Sequence, residues 1–268
     1  MTTNIAINGA TGRMGRALVH ACTEYKESTL CAALVRENSK FIDQDAGVVA
    51  GIVEQGIAIS SNRIDVPGCC DIWIDFTLPE GVMNAMSFCV EKKIPMVIGS
   101  TGFSNEQKCV IAEAAQEIPV VFAPNMSVGV NLCLSILKTA ARTLGEDYDV
   151  EIVEAHHKNK VDAPSGTAIR MGEVIADTQG IDLSEKAEYT RHGNIGVREK
   201  GVIGFQTIRA GDIVGEHTVT FAGIGERIEI AHKASSRLTF ARGAIRAAIW
   251  LKGKPAGLYD MQDVLGLS

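Results

Sequence analysis

The chain has 268 residues, of which 46% are hydrophobic, 22% charged and 5% aromatic, with 27 Gly against 7 Pro; this is the composition of a folded, aliphatic-cored protein and excludes a disordered, collagenous or coiled-coil one. At roughly 150 residues per domain the length fits two ordinary lobes, or one larger domain. A formal charge of -6 excludes a broad positive face, and with it a general binder of nucleic acid or of a membrane surface, so an anionic ligand has to be held by local cations or helix N-termini.

Residues 5–8 form a short apolar strand, followed by Gly9-Ala10-Thr11-Gly12-Arg13-Met14-Gly15 and then by Ala17, Leu18, Val19 and Cys22 at helical spacing. Further strands are expected at 30–35, 57–59 and 71–76. Thr77-Leu78-Pro79-Glu80 then opens a helix that runs to Lys92, with Pro and Glu suited to its first turn. A strand at 95–98, a helix at 105–117 and a strand at 120–122 complete the series. Strands alternating with helices in this way imply βαβ units and a parallel sheet covered on both faces.

The pattern changes after Asn125. A long apolar helix is expected at 128–144, then a strand at 150–155, a polar loop and a helix beginning near Ser165. Residues 201–232 alternate apolar and polar, with glycine-rich breaks at 210–212 and 222–225, which reads as an open, mainly β second lobe. A last helix at 237–251 and a tail at 260–265 can return to the first lobe.

The seven cysteines all fall within the first 133 residues and include no C-x-x-C pair, so they make neither a disulfide framework nor a zinc site; they read as small buried hydrophobes of a reducing compartment. No metal site is expected. The first residues lack a basic, hydrophobic leader, and no uncharged run reaches the roughly 18 residues of a membrane span, so the expected location is cytoplasmic.

The glycines at 9, 12 and 15 follow a strand and open a helix, a variant of the dinucleotide fingerprint: they permit a tight turn and let the backbone approach a pyrophosphate at a helix N-terminus. The second strand ends Leu34-Val35-Arg36-Glu37. Val35 cannot hold ribose hydroxyls, whereas Arg36, helped by Arg13, suits a 2'-phosphate, which points to NADPH over NADH. Glu37 takes the acidic role if the strand ends one residue later, and a solvated strand-end charge is the plainer reading of Arg36. Phe76-Thr77, Gly99-Ser100-Thr101 and Ala123-Pro124-Asn125-Met126 lie at the C-terminal ends of other first-lobe strands, the edge where such sheets bind ligands, and would line a nicotinamide pocket.

In the second lobe, residues 154–167 gather His156, His157, Lys158, Lys160 and the helix-opening Ser165-Gly166-Thr167. Backbone N–H groups and hydroxyls at a helix start form a carboxylate receptor, and Lys160 with the histidines can supply a proton and a second anion contact. Each residue also has an ordinary structural reading: Ser165 as a plain N-cap, a histidine as a core residue, a lysine as a solvated charge. Their coincidence points to an enzyme acting on a small anionic, dicarboxylate-like compound.

Taken together, Glu154-Ala155-His156-His157-x-x-Lys160-x-Asp162-Ala163-Pro164-Ser165-Gly166-Thr167-Ala168 resembles the signature of the 4-hydroxy-tetrahydrodipicolinate reductase (dihydrodipicolinate reductase) family of bacterial diaminopimelate and lysine biosynthesis. Gly9-x-x-Gly12-Arg13-Met14-Gly15, Asp75-Phe76-Thr77, Gly99-x-Thr101-Gly102-Phe103 and the run from Arg209 to His217 are similar to that family as well. The resemblance implies a Rossmann-type, doubly wound parallel sheet over 1–127 with 238–268, a smaller α+β lobe with an open mixed sheet over 128–237, and a homotetramer built through that second sheet. It implies hydride transfer from NADPH or NADH to C4 of a cyclic, unsaturated dicarboxylate, with protonation at C3. By position Lys160 would donate the proton and His156 would be its acid/base or polarising partner. His157, Gly166, Thr167 and Thr101 would bind the substrate carboxylates, with Ser165 close by. Gly9, Ala10, Thr11, Gly12, Arg13, Met14, Arg36, Gly99, Ser100, Thr101 and Ala123 to Met126 would bind the cofactor. Many members carry an acidic residue where this chain has Val35, and its absence agrees with the preference for NADPH. The competing readings are another amino-acid-pathway dehydrogenase or an NADP-binding regulator.

Overall fold

A computed structural model describes residues 2–64 and 66–267; Met1 and Ser268, at the outer limits of the expected first lobe, and Asp65 lie outside the described residues. The chain divides into two compact units. One runs through Val128 and resumes at Arg237; the other is Gly129–Ser236.

In the first unit β1 (Thr3–Asn8), α1 (Arg13–Glu24), β2 (Ser28–Leu34), a short α2 (Ala46–Ala50) and β3 (Ile59–Ser60) are followed by β4 (Ile72–Asp75), α3 (Pro79–Lys92), β5 (Met96–Ile98), α4 (Asn105–Ala114) and β6 (Pro119–Phe122). The second unit holds α5 (Val128–Leu144), β7 (Asp149–His156), α6 (Gly166–Gln179), α7 (Leu183–Lys186), β8 (Ala187–Glu188), β9 (Ile203–Arg209), β10 (Gly215–Ala222) and β11 (Arg227–Ala234). The chain then re-enters the first unit as α8 (Leu238–Leu251), β12 (Gly257–Tyr259) and α9 (Met261–Leu265).

The first unit is a seven-stranded sheet in the order β12-β6-β5-β4-β1-β2-β3, with every pair parallel. Side chains alternate between its faces with the strand period of two. Ile5, Ile7, Ile72, Ile74 and Val97 pack with α1 and α8, while Ala6, Trp73, Met96 and Ile98 pack with α3 and α4. Because helices cover both faces, the strands read as continuous apolar runs. The order reverses between β1 and β4, which makes their C-terminal ends the switch point of the sheet.

Three sequence expectations change here. The third strand lies at Ile59–Ser60 and not at 57–59, because the Asp45 carboxylate takes the Ile57 N–H together with those of Gly47, Val48 and Gln55. The tail contributes a parallel edge strand, β12 beside β6, that its three residues are too few to announce. Of the cysteines, only Cys22 and Cys89 are fully buried; Cys69 lies exposed in the turn before β4 and Cys109 exposed on α4, so those two are not core hydrophobes, and all seven are free thiols.

The second unit is a mixed sheet in the order β11-β10-β7-β9-β8, antiparallel at β11/β10 and β10/β7, parallel at β7/β9 and β9/β8. Leu137 and Ala141 of α5 and Ala168, Met171 and Ile175 of α6 pack onto one face, against Val150, Ile152, Phe205, Val219 and Phe221. The approach is close at Gly172, where a Cβ would lie 2.6 Å from the Phe205 ring. Register then decides where this apolar ladder ends. The rung Ile152, Phe205 and Val219 is succeeded by Glu154, Thr207 and His217, and next by His156 and Arg209.

Candidate active site

In the first unit the expected cofactor residues follow the C-terminal ends of five strands of one sheet. Gly9 has φ of +71° and its missing Cβ would lie 2.7 Å from Thr77 Cγ2, so the turn after β1 is closed against the turn after β4 only because residue 9 has no side chain. Gly12 is the N-cap of α1, with no side-chain capping bond and no acid in the first turn, so this helix start suits a pyrophosphate.

Asp75, fully buried, holds the rim together: Oδ1 accepts from the Thr77 N–H at 2.9 Å and its hydroxyl at 2.6 Å, and Oδ2 accepts from Asn8 Nδ2 at 2.8 Å and Trp73 Nε1 at 3.3 Å. The Ser100 hydroxyl donates to the Thr77 carbonyl at 2.6 Å, and the Phe76 ring occupies the space a Cβ on Gly99 would need. In the sequence Asp75 stands only as part of a motif, without a role of its own; its position between a buried strand and a hydroxyl-bearing turn is the signal that marks it as the tie.

The remaining cofactor candidates differ in what they can offer. Ala10, Ala123 and Met126 are buried, Met126 in the core, where a Cβ on Gly243 would press on its carbonyl; only their backbone is available to a ligand. Thr11, Met14 and Asn125 are half-buried, and the Asn125 side chain accepts from the Ser127 N–H at 2.9 Å. Arg13, Arg36, Thr101 and Pro124 are exposed. Val35 gives its N–H to the Ser60 carbonyl and offers no polar side chain to a ribose.

In the second unit the polar rungs of the sheet meet the connection between β7 and α6. Glu154 is 1% exposed. Its carboxylate takes His156 Nδ1 at 2.6 Å, both Arg209 Nη atoms at 2.8 Å, the Ser165 N–H at 3.0 Å and the Thr207 hydroxyl at 3.3 Å. Burial pushes its acidity down, and the Arg209 and His156 hydrogen bonds more than offset this, so the carboxyl titrates below its ordinary range. Burial likewise lowers the His156 imidazole, against the opposing pull of Glu154.

Ser165 is buried, and its hydroxyl accepts from the Ala168 N–H as the N-cap of α6 while bonding His217 Nε2. Gly166 in the next position is exposed, and a Cβ there would meet nothing within 4 Å, leaving the helix start open for a ligand. Thr167 is half-buried beside it. Lys160 reaches both oxygens of Asp162 at 2.7 and 2.8 Å, and Asp162 falls below its usual range because of that lysine. His157 is half-buried and its Nδ1 has no hydrogen-bond partner among the described residues.

The structure thus brings His156, Lys160, Ser165, Gly166 and Thr167 onto one β7–α6 connection and adds Glu154, Arg209 and His217, which sequence reasoning does not assign. Arg209 and His217 lie in a quoted motif, but only strand register shows that they stand level with His156 and Glu154. Among the described residues no group of three or more His, Cys, Asp or Glu side chains is placed to hold a metal ion, and no helix is long and apolar enough to cross a membrane.

Comparison with known proteins covers both units. A family model described as dihydrodipicolinate reductase, N-terminus, matches residues 3–126, and one described as dihydrodipicolinate reductase, C-terminus, matches residues 129–265. The 4-hydroxy-tetrahydrodipicolinate reductase of Hahella chejuensis (strain KCTC 2396) is 58% identical over 265 residues, 99% of each chain. That of Pseudomonas fluorescens (strain SBW25) is 54% identical over 264 residues, 98% of each chain. A solved structure, the dipicolinate-bound dihydrodipicolinate reductase from Paenisporosarcina sp. TG-14, shares the fold with a TM-score of 0.75 at 24% identity, over 98% of this chain and 99% of that one. With a parallel nucleotide-type sheet, a mixed sheet bearing the Lys160 and His156 connection, and relatives at this identity over nearly its whole length, the chain belongs to the 4-hydroxy-tetrahydrodipicolinate reductase family of pyridine-nucleotide-dependent oxidoreductases.

Proposed function

We propose that this protein reduces 4-hydroxy-tetrahydrodipicolinate to tetrahydrodipicolinate in the diaminopimelate and lysine pathway, with NADPH favoured over NADH. The observation that carries the reading is the β7–α6 connection, where the buried Glu154 carboxylate holds the His156 imidazole and the start of α6, with Gly166 open beside it, while the Lys160 ammonium is held on Asp162 of the same connection.

The open start at Gly166 and Thr167 takes one substrate carboxylate by its N–H groups, and His157 contributes a further donor. When bound, the reduced nucleotide supplies the hydride that reaches C4. The Lys160 ammonium gives a proton to C3 of the enamine-like anion that hydride arrival leaves, a transfer an arginine does not make at neutral pH. His156 stands as the acid/base partner of that lysine, and water leaves in the net reaction.

The first unit is the dinucleotide-binding domain. The uncapped start of α1 fits a pyrophosphate, and Gly9 to Met14, Phe76, Thr77, Gly99 to Thr101 and the backbone of Ala123 to Met126 hold the rest of the nucleotide. Arg36 and Arg13, exposed and without an ion pair among the described residues, receive the 2'-phosphate, and Val35 removes the acid that would favour NADH. The second unit carries the substrate and assembles a homotetramer through the sheet face opposite α5 and α6, where Ile208 stays 46% exposed. The enzyme works in the cytoplasm.

The deciding experiment is oxidation of NADPH, beside NADH, with substrate formed freshly from pyruvate and aspartate semialdehyde by the preceding synthase. Synthase-dependent oxidation is expected; a folded, NADPH-binding protein that oxidises neither cofactor overturns the assignment.

A further inference from the structure

Glu154 is surrounded by donors. Arg209, the Ser165 N–H and the Thr207 hydroxyl all point hydrogens at its two oxygens, so its charge is fully used before His156 is considered. Only the His156 ring has a choice of tautomer, and against a carboxylate saturated with donors Nδ1 has to carry the hydrogen. A neutral ring then has its lone pair on Nε2. That nitrogen has room because residue 215 is glycine, where a Cβ would come within 3.1 Å of it.

Arg209 extends the device. While its two Nη atoms hold Glu154, Nη2 also donates to the Asp162 carbonyl at 2.7 Å, two residues beyond Lys160. The same guanidinium therefore anchors the loop that carries the lysine. Its pairing with Glu154 is bidentate, a geometry lysine does not reproduce.

We propose that Glu154, held ionised by Arg209, is a positioning residue that fixes the Nδ1–H tautomer of His156, making Nε2 the proton acceptor, and that the pair sets His156 and Lys160 in register. The proposal rests on the reductase reading for its effect on rate, but the tautomer itself is independent of substrate.

The groups that face His156 are Glu154 on its own strand, Arg209 on β9, Lys160 on the loop and His217 on β10, its ring centroid 5.2 Å away. The test compares Glu154→Gln with the full wild-type chain by two readouts. One is the pH midpoint for carbethoxylation of His156 by diethyl pyrocarbonate, followed by peptide mass spectrometry; the other is steady-state reduction. Loss of the neighbouring carboxylate is expected to move the midpoint down by about one pH unit or more. kcat is expected to fall about 10- to 100-fold, as when other carboxylate-held histidines lose their partner, with substrate KM within about threefold. If Glu154→Gln does not fold, Glu154→Asp, which draws the carboxylate back from Nδ1 by one methylene, is expected to move the midpoint down by less and to lower kcat in the same direction.

A folded variant with an unmoved midpoint overturns the pairing of Nδ1 with an ionised Glu154 on which the tautomer assignment rests, and one with a moved midpoint and unchanged kcat overturns its role in the reaction. If wild type itself does not reduce the substrate, the functional reading fails, while the midpoint still decides the role of Glu154.

Discussion

The Ser165 hydroxyl and the His217 imidazole meet at 2.8 Å inside the second unit, 52 residues apart in sequence. One side chain caps α6 and the other belongs to β10, so this hydrogen bond, beside the one from the Ser165 N–H to Glu154, ties the helix whose first turn is the proposed carboxylate receptor to the sheet that carries His156. Ser165→Ala removes an N-cap, at about 1 kcal/mol, and leaves a buried ring nitrogen unpaired, at about 1–3 kcal/mol. A lower urea midpoint with an unchanged m-value is expected; equal stability to wild type would mean that the two groups are not coupled.

Burial pushes the His217 pKa to about 4 from an ordinary 6.5. In the unfolded chain this ring binds a proton near 6.5, and in the folded chain it does so only near 4. Between those values the unfolded state therefore holds more protons, so stability is full above about 6.5 and falls as the pH drops toward 4. The loss is on the order of 3 kcal/mol across that window. Urea unfolding at a series of pH values measures it, and His217→Gln is expected to flatten the curve over the same window.

Among the described residues the Lys160 side chain is tied only to the largely exposed Asp162, so its removal leaves the core intact. Lys160→Ala is expected to lower kcat by about 10²- to 10⁴-fold, the range of a lost general acid, with thermal unfolding unchanged. An unchanged kcat would rule out the lysine as proton donor.

Arg36 is exposed and makes no ion pair among the described residues, which separates the proposed cofactor contact from folding at this position. Arg36→Ala is expected to lower kcat/KM for NADPH about tenfold, near 1.4 kcal/mol, and to leave the NADH value almost unchanged. Parallel initial-rate measurements with the two cofactors give the ratio. Equal losses would place Arg36 outside the 2'-phosphate contact.

At Gly99 the Phe76 ring already fills the space of a side chain. Gly99→Ala is expected to displace the ring and cost about 1–3 kcal/mol by overpacking, with weaker nucleotide binding measured by fluorescence titration. Unaltered stability and affinity would show that the ring moves aside freely.

Much of this protein is legible along the chain. Local order suffices for the alternating strands and helices, the glycine turn and the His156 to Thr167 segment, because periodicity and backbone chemistry act within a few residues. The positions of Val35 and Arg36 are readable for the same reason: they follow directly on a strand, β2, whose neighbour β1 leads into the turn. Only the tertiary structure shows what Glu154 touches, since its partners come from β9, from the start of α6 and from its own strand, and the signature in which it stands gives it no partner. It is likewise register that brings Arg209 level with His156 and His217 level with Glu154, and pairing with β6 that turns Gly257–Tyr259 into a strand. A buried charge must find its donors wherever the fold provides them, so the groups that set the chemistry of a site are written in three dimensions even when those that perform it are written in sequence.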